Sequence, residues 1–241
     1  MSQALSGAER GKSSAAKTAA ATVESGMKVG LGTGSTATWL VKHLAVMVRE
    51  KGLRIEAAAT SVQTANLAAK LGIKVKPLDE IGCLDLTIDG ADEFDNQLNL
   101  IKGGGGALLR EKIVARASDQ MIVIADASKD VEKLGKFPVP VEVIPYGLAS
   151  SRSLIEQTLR DIGYPNAGIF VREKNGDWFV TDEGNHILDL HLDRISDPLE
   201  LSQMLNGIPG VVENGLFIDM CCSVMIGFAD GTSETRSLQN A

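Results

Sequence analysis

The sequence predicts an α/β fold: a Rossmann-like, largely parallel sheet with helices on both faces, joined to a smaller α+β domain. Short apolar runs of β type alternate with helical patterns as far as about residue 134, which is typical of βα units. The pattern then changes at "LGKFPVPVEVIP", and a last apolar stretch at 222–231 is expected to return to the first sheet. We therefore expect a catalytic α/β domain over 1–134 and 220–241, and a smaller domain over 135–219.

The first domain is read from its apolar runs and its helix-stopping glycines. Strands are predicted at 27–31, 54–59, 73–76, 84–89 and 121–125, and helices at 35–50, 62–71 and 105–118. An Ala-rich helix precedes Gly26, and Gly52 and Gly72 stand where helices are expected to stop. Because crossover connections are right-handed, the loops that follow the parallel strands gather at one edge, where open α/β sheets bind ligands.

The second domain has the order βαββαβ, which predicts a ferredoxin-like sandwich. Its predicted elements are strands at 139–144, 168–173, 177–182 and 211–218, and helices at 148–162 and 197–206. Asn175-Gly176 favours a hairpin turn, and Asp197 with Pro198 marks a helix start. No chemical motif stands out here, so this domain is expected to support oligomerisation.

Composition excludes several classes of protein. The chain has 241 residues, 44% of them hydrophobic and 23% charged, as in ordinary soluble proteins. It shows no apolar run near the ~20 residues of a membrane span and no apolar block of a secretory signal, so a cytoplasmic location is expected. A net charge of -7 argues against a nucleic-acid partner.

Cysteine and histidine spacing gives no sign of a metal site. Cys83, Cys221 and Cys222 form neither a disulfide framework nor a zinc pattern. His186 and His191 are five residues apart in a strand-rich region, which places them on opposite faces of one strand. His43 lies on a helix, and a structural or exposed role is expected.

The stretch "GLGTGSTA" at 30–37 follows a strand and opens a helix. Its backbone N–H groups and the helix N-terminus favour an anion such as phosphate, and Thr33, Ser35 and Thr36 add hydroxyls. As a dinucleotide motif it is weak, because Ser35 replaces the third glycine and no acidic residue ends the next strand. A plain glycine-rich turn with capping hydroxyls remains an alternative.

The stretch "DGADEFD" at 89–95 places four carboxylates directly after a strand. Asp89 and Asp92 are suited to accept hydrogen bonds from sugar hydroxyls at the ligand-binding edge. Metal binding is a competing interpretation, although calcium-loop spacing is absent. A solvated acidic turn is the other.

The stretch "IKGGGGALLREKI" at 101–113 combines a glycine run with one carboxylate on a small, apolar helix face. That face holds Glu111 together with Ala107, Leu108, Val114, Ala115 and Ser118. A carboxylate there loses hydration, which prepares it to act as a general base. The glycines let a ligand lie against backbone N–H groups, and Lys102 supplies positive charge. The alternative is a surface ion pair of Glu111.

Taken together, these stretches resemble the type A ribose-5-phosphate isomerases. "GLGTGSTA", "DGADEFD", "KGGGGALLREK", "IADASK" and "LGKFPVPVEVIP" follow the order of that family, and "IPGVV" and "GLF" extend the likeness toward the C-terminus. The likeness covers nearly the whole chain and is looser over 146–210 and the first dozen residues. The first motif also occurs in glucosamine-6-phosphate deaminases and in sugar-responsive repressors.

The resemblance implies interconversion of D-ribose 5-phosphate and D-ribulose 5-phosphate through an enediolate, in the non-oxidative pentose phosphate pathway. It implies no cofactor or metal, and a homodimer or homotetramer. Glu111 would be the proton acceptor, with Asp89, Asp92 and Lys102 assisting. The implied substrate contacts are Lys12, Thr33, Gly34, Ser35, Thr36, Asp89, Gly90, Ala91, Asp92, Lys102, Gly103, Gly104, Gly105 and Lys129.

Rival functions follow from the same residues. A non-catalytic sugar-phosphate sensor would bind through loop 30–37 without turnover, but the sequence shows no DNA-binding segment. A related sugar-phosphate isomerase or deaminase is a second alternative. A nicotinamide-dependent dehydrogenase is disfavoured by the incomplete glycine motif.

Overall fold

The computed structural model describes residues 5–238. Within that range the helices are α1 (Gly7–Ala20), α2 (Ser35–Lys51), α3 (Val62–Lys70), α4 (Leu78–Ile81), α5 (Leu108–Arg116), α6 (Leu148–Asp161) and α7 (Pro198–Asn206). The strands are β1 (Lys28–Leu31), β2 (Glu56–Ala59), β3 (Lys74–Val75), β4 (Leu84–Gly90), β5 (Glu93–Phe94), β6 (Leu100–Ile101), β7 (Ser118–Asp126), β8 (Val139–Val143), β9 (Gly168–Val171), β10 (Glu173–Lys174), β11 (Asp177–Trp178), β12 (His186–His191), β13 (Val211–Asn214), β14 (Leu216–Phe217), β15 (Ser223–Gly227) and β16 (Ser233–Ser237).

These elements group into two compact units. The first unit comprises the chain up to residue 91, residues 110–130 and the chain from 219; the second comprises 92–109 and 131–218. Segment 92–109 precedes the boundary predicted at 134 and groups with the second unit. Its short strands β5 and β6 pair with β14 of the same unit.

The first unit is built on a seven-stranded sheet with the order β16-β15-β7-β4-β1-β2-β3. Its neighbouring strands are parallel except for the antiparallel pair β15–β16. The α/β class, the five predicted strands and the return of 222–231 to this sheet are confirmed. The edge strand β16 was not predicted, because "SETRS" has no apolar alternation.

Apolar side chains of the central strands form the core of this unit. Val29, Leu31, Ile88 and Ile124 are fully buried and pack with Leu40 of α2. The helix predicted over 105–118 is shorter at both ends. The glycine run stays outside it as a loop, and Ser118 already begins β7.

Helix α1 packs against the last strands of the chain. A Cβ on Gly11 would lie 2.9 Å from the Gly227 carbonyl oxygen, so the two backbones touch here. Arg10 Nε donates to the Ala229 carbonyl at 2.7 Å, and the hydroxyls of Thr18 and Ser233 lie 2.8 Å apart. The helix was predicted to run to Gly26 but ends at Ala20.

The second unit contains an antiparallel sheet with the order β13-β8-β12-β9, which is the ferredoxin-like order. Helices α6 and α7 bury Ile155 and Leu201 in the core of this unit. The prediction of 177–182 as a sheet strand was wrong. Asp177–Trp178 forms a small hairpin with β10 around the predicted Asn-Gly turn, and His186–His191 takes the sheet position.

The histidines lie in structural settings. His43 Nε2 is 3.1 Å from Ser13 Oγ, and burial, together with the charges of Lys17 and Lys42, lowers the pKa of His43. His186 and His191 lie at opposite ends of β12, each packed edge-on against an aromatic ring. None of the helices within residues 5–238 combines the length and apolar character that crossing a lipid bilayer requires.

Candidate active site

The carboxyl edge of the seven-stranded sheet collects the candidate residues of the first unit. The loops at 32–35, 60–61 and 127–129 follow β1, β2 and β7, while Asp89 and Gly90 end β4. Parallel neighbours β1, β4 and β7 bring three of these segments side by side. The sequence prediction of a polar cluster at one sheet edge therefore matches the topology of this unit.

The glycines of the loop after β1 are required by neighbouring side chains. A Cβ on Gly32 would lie 2.0 Å from Asp89 Oδ1, and one on Gly30 would lie 2.0 Å from Thr87 Oγ1. Gly34 has a φ of 109° and precedes α2, whose start no side chain of the described residues caps. Gly34 and Ser35 are exposed. The first-turn amides of α2 therefore suit an anion.

Asp89 holds this loop in place. Its side chain is fully buried, and Oδ1 accepts hydrogen bonds from the backbone N–H groups of Thr33, at 3.0 Å, and Gly90, at 2.7 Å. The idea of a solvated acidic turn is therefore wrong for this carboxylate. A charged acceptor that joins two loops is worth more than a neutral one.

A group of buried hydroxyls supports the same loop and was not singled out in the sequence. Thr33 Oγ1 lies 2.7 Å from Thr60 Oγ1 and 2.8 Å from Ser61 Oγ. Thr64 Oγ1 donates to the Gly32 carbonyl at 3.0 Å. The hydroxyl of Thr33 thus contacts its own protein, which leaves the Ser35 and Thr36 hydroxyls as the candidates for a ligand. The sequence feature that could have indicated this hydroxyl group is the "ATS" at the end of the second predicted strand.

Glu111 is buried at the same end of the first unit. It is 3% exposed and lies in the first turn of α5, where the helix dipole favours a carboxylate. One turn later, Val114 lies over the middle of the sheet, because a Cβ on Gly30 would be 2.7 Å from Val114 Cγ1. Ser118 then pairs with Leu84 at the amino end of β4. Glu111 therefore lies about 4.5 Å nearer than Val114 to the carboxyl edge, and the surface ion pair expected as its alternative does not fit this burial.

Two lysines of the first unit also belong to this end. Lys12 follows Gly11, which contacts the carboxyl end of β15, and its Nζ lies 2.9 Å from Glu9 Oε1. The hydrogen bond from Lys12, and then that from Trp39, lowers the pKa of Glu9. Lys129 ends a short 3-10 helix, Ala127–Lys129, directly after β7.

The glycine run lies in the second unit as a tight loop. Gly103 and Gly106 have φ of 102° and 79°, and Cβ atoms there would meet Leu108 at 2.9 Å and Phe179 at 2.3 Å. Gly104 and Gly105 are exposed, and the Gly104 N–H donates to Asp92 Oδ2 at 2.7 Å. Packing within the protein therefore explains Gly103, Gly104 and Gly106, and Gly105 is exposed.

The other polar residues of this segment are held within the same unit. Lys102 is 2% exposed, with its Nζ 5.3 Å from the centre of the Phe217 ring. Glu93 is 4% exposed and accepts from the N–H groups of Gly135 and Phe137 at 2.8 and 2.6 Å. Asp95 Oδ1 accepts from Gln97 and Asn99 at 2.9 Å each.

The carboxylates of the acidic turn thus serve as acceptors for backbone amides. Asp89, Asp92, Glu93 and Asp95 each hold a different backbone segment. Among residues 5–238, no group of three or more His, Cys, Asp or Glu side chains is arranged to hold a metal ion.

Comparison with known proteins adds independent evidence. A model of the family "Ribose 5-phosphate isomerase A (phosphoriboisomerase A)" matches residues 56–231. The chain is 59% identical to a ribose-5-phosphate isomerase A of Ruegeria sp. (strain TM1040), over 99% of this chain and 91% of that relative.

Solved structures give the same result. The ribose 5-phosphate isomerase of Plasmodium falciparum superposes with a TM-score of 0.89 at 36% identity, covering 95% of this chain and 98% of that one. A D-ribose-5-phosphate isomerase in complex with phospho-erythronic acid superposes with a TM-score of 0.86 at 38% identity, covering 94% of this chain and 97% of that one.

Proposed function

The chain belongs to the ribose 5-phosphate isomerase A family and interconverts D-ribose 5-phosphate and D-ribulose 5-phosphate, and we propose that Glu111 moves the proton in this reaction. The observation that carries the proposal is a carboxylate, 3% exposed, in the first turn of α5 at the carboxyl end of the sheet. We place this interconversion of the two pentose phosphates in the non-oxidative pentose phosphate pathway.

Glu111 acts as one base that serves two neighbouring carbons. An aldose and its ketose differ in the positions of hydrogens at C1 and C2. Glu111 removes the proton from C2 of the open-chain aldose, and the electron pair forms an enediolate whose negative charge rests on oxygen. The hydroxyl proton then passes from O2 to O1, and return of the first proton to C1 gives the ketose. Burial withholds water from the carboxylate, which keeps it a strong base.

The loop at 33–36 binds the phosphate in this proposal. The exposed start of α2 offers N–H groups and the hydroxyls of Ser35 and Thr36. Lys12 supplies a positive charge, and its ion pair with Glu9 holds the ammonium group in place. Lys129 lies after β7 and is assigned a further contact with the substrate. Phosphate binding far from C1 supplies energy that positions the reacting carbons.

Residues of the second unit are assigned roles in the reaction from their chemistry alone. Lys102 and the N–H groups of the glycine run are cation and amide donors, which stabilise a developing oxyanion. Asp92 of this unit, half-buried, and Asp89 of the first unit remain the candidates for assisting ring opening, and Gly90 and Ala91 of the first unit are assigned further contacts with the substrate.

Turnover in D2O tests the proton-transfer mechanism. A proton held on Glu111 exchanges with solvent, so repeated turnover is expected to place deuterium at C1 of ribulose 5-phosphate, measured by NMR. The reaction is expected to run at the same rate in excess EDTA, because the proposed base needs no metal ion.

Three outcomes would contradict this proposal. Full conversion without deuterium after many turnovers would indicate a direct hydrogen shift between the carbons. Binding of ribose 5-phosphate without conversion would establish the sugar-phosphate sensor instead. Loss of the rate in EDTA, restored by a divalent cation, would show that a metal takes part.

Assembly and location are further parts of the proposal. The second unit carries exposed apolar side chains, including Phe170 and Trp178, which suit contact between copies of the chain. A homodimer or homotetramer of the 25.5 kDa chain is expected, and light scattering distinguishes these masses from a monomer. We expect the protein in the cytoplasm, where its sugar phosphates are metabolised.

A further inference from the structure

Arg172 of the second unit is tied to the backbone of the glycine run. Its Nη1 donates to the Gly103 carbonyl at 2.6 Å and approaches the Gly104 carbonyl at 3.3 Å. The carboxylate of Asp189 on β12 accepts hydrogen bonds from Nε of Arg172 at 2.9 Å and from Nη2 at 2.5 Å, so it holds the guanidinium at two nitrogens. Only 13% of the Arg172 side chain is exposed. An exposed ion pair contributes little to stability. Arg172 differs from such a pair, because it is largely buried and its charged group donates several hydrogen bonds.

The contacts fix the direction of two peptide groups. The carbonyl of the peptide that joins Gly103 to Gly104 faces Arg172, and its N–H faces Asp92. The carbonyl of the next peptide, which joins Gly104 to Gly105, also faces Arg172. Residues 5–238 contain no cis peptide, and a trans peptide points its N–H away from its carbonyl. The Gly105 N–H is therefore directed away from Arg172, on the exposed side of the loop.

We propose that Arg172, held by Asp189, is a positioning residue for the isomerisation, because it aims the Gly105 N–H at the oxygen that gains charge in the enediolate. This inference rests on the proposed function of the glycine run. Glycine has the largest backbone freedom of any residue, so a loop of four glycines needs an outside restraint to keep a donor in place. An oxyanion donor acts best when it is fixed before the reaction.

The test is a set of variants at this cluster, measured for kcat, KM, inhibition by phospho-erythronic acid and melting temperature. Arg172→Gln is expected to lower kcat by about 10- to 100-fold, with KM changed by less than about threefold, because a small misplacement affects the transition state most. The inhibition constant of the analogue is expected to rise. Asp189→Asn is expected to have a weaker effect of the same kind. Combined with Arg172→Gln, it should add little, because both act through one contact.

Arg160→Gln is the matched control. Arg160 also lies in the second unit and pairs with Glu156 at 3.1 Å, but on the exposed side of α6. Its variant is expected to keep kcat and KM. If Arg172→Gln fails to fold, Arg172→Lys is used to test the inference. Lysine keeps the charge but cannot donate to Asp189 and to two carbonyls in one plane.

A fall in kcat at temperatures well below the melting point supports the inference. It is overturned if Arg172→Gln, or Arg172→Lys in its place, loses melting temperature while kcat per folded molecule stays within about twofold of the parent. Failure of the inference is distinct from failure of the proposed function, because the activity of a Glu111→Gln variant reports on the base alone.

Discussion

Replacement of Glu111 by Gln is expected to lower kcat by about 10³- to 10⁴-fold, since a general base contributes up to that factor. Gln keeps the size and the hydrogen-bonding shape of Glu but cannot accept a proton from carbon. The side chain is 3% exposed, so no water-borne base can easily replace it. A coupled spectrophotometric assay measures kcat, and binding of ribose 5-phosphate to the variant is expected to persist.

Two further variants make this prediction sharp. Glu111→Asp keeps the base but shortens its reach, and an intermediate loss is expected. Glu50→Gln is the control, because Glu50 lies exposed at the end of α2, beside Arg49. A Glu111→Gln enzyme that retains a tenth or more of the parent kcat would remove Glu111 from the role of base.

Replacement of Asp89 by Ala is expected to lower the free energy of unfolding by about 2–4 kcal/mol, because two backbone N–H groups lose their buried acceptor. The same change releases the loop at Thr33, so kcat/KM is expected to fall by at least about 100-fold. Asp89→Asn keeps one oxygen as an acceptor, so its loss of stability is expected to be much smaller. Urea denaturation and steady-state kinetics measure the two effects.

Asp85 supplies the matched control on the same strand. Its Oδ2 accepts the Lys28 N–H at 2.7 Å at the opposite, amino end of β4, and its side chain is exposed. Asp85→Ala is expected to cost about 1 kcal/mol and to leave kcat/KM unchanged. If Asp89→Asn proves as inactive as Asp89→Ala while its stability is normal, Asp89 takes part in proton transfer and does not merely hold the loop.

The first unit was largely predictable because its signals are local. Apolar runs such as "MIVIA" and stops such as Gly52 depend on nearest neighbours in the sequence. The buried setting of Glu111 was also predictable, since helical periodicity places Leu108 and Val114 on its face. The ends of that helix could not be predicted in the same way. Ser118, for example, pairs with β4 and lies in a strand, whatever its helix propensity.

The second unit shows where sequence reasoning stops. "DWFVTD" has the apolar content of a strand, yet β11 ends at Trp178. The next residue, Phe179, packs against Gly106 instead. The glycines themselves were assigned to a ligand, whereas Leu108 and Pro140 account for Gly103, Asp92 for Gly104 and Phe179 for Gly106. Arg172 lies 69 positions from Gly103, and no spacing rule connects two such residues.

The closure of α1 onto β15 and β16 has a consequence for synthesis of the chain on the ribosome. Arg10 and Thr18 contact Ala229 and Ser233, which follow them in the chain by 219 and 215 positions. The nascent first unit therefore cannot complete its packing when its own early residues emerge. One face of α1 stays uncovered until residues 223–237, which form β15 and β16, have been made.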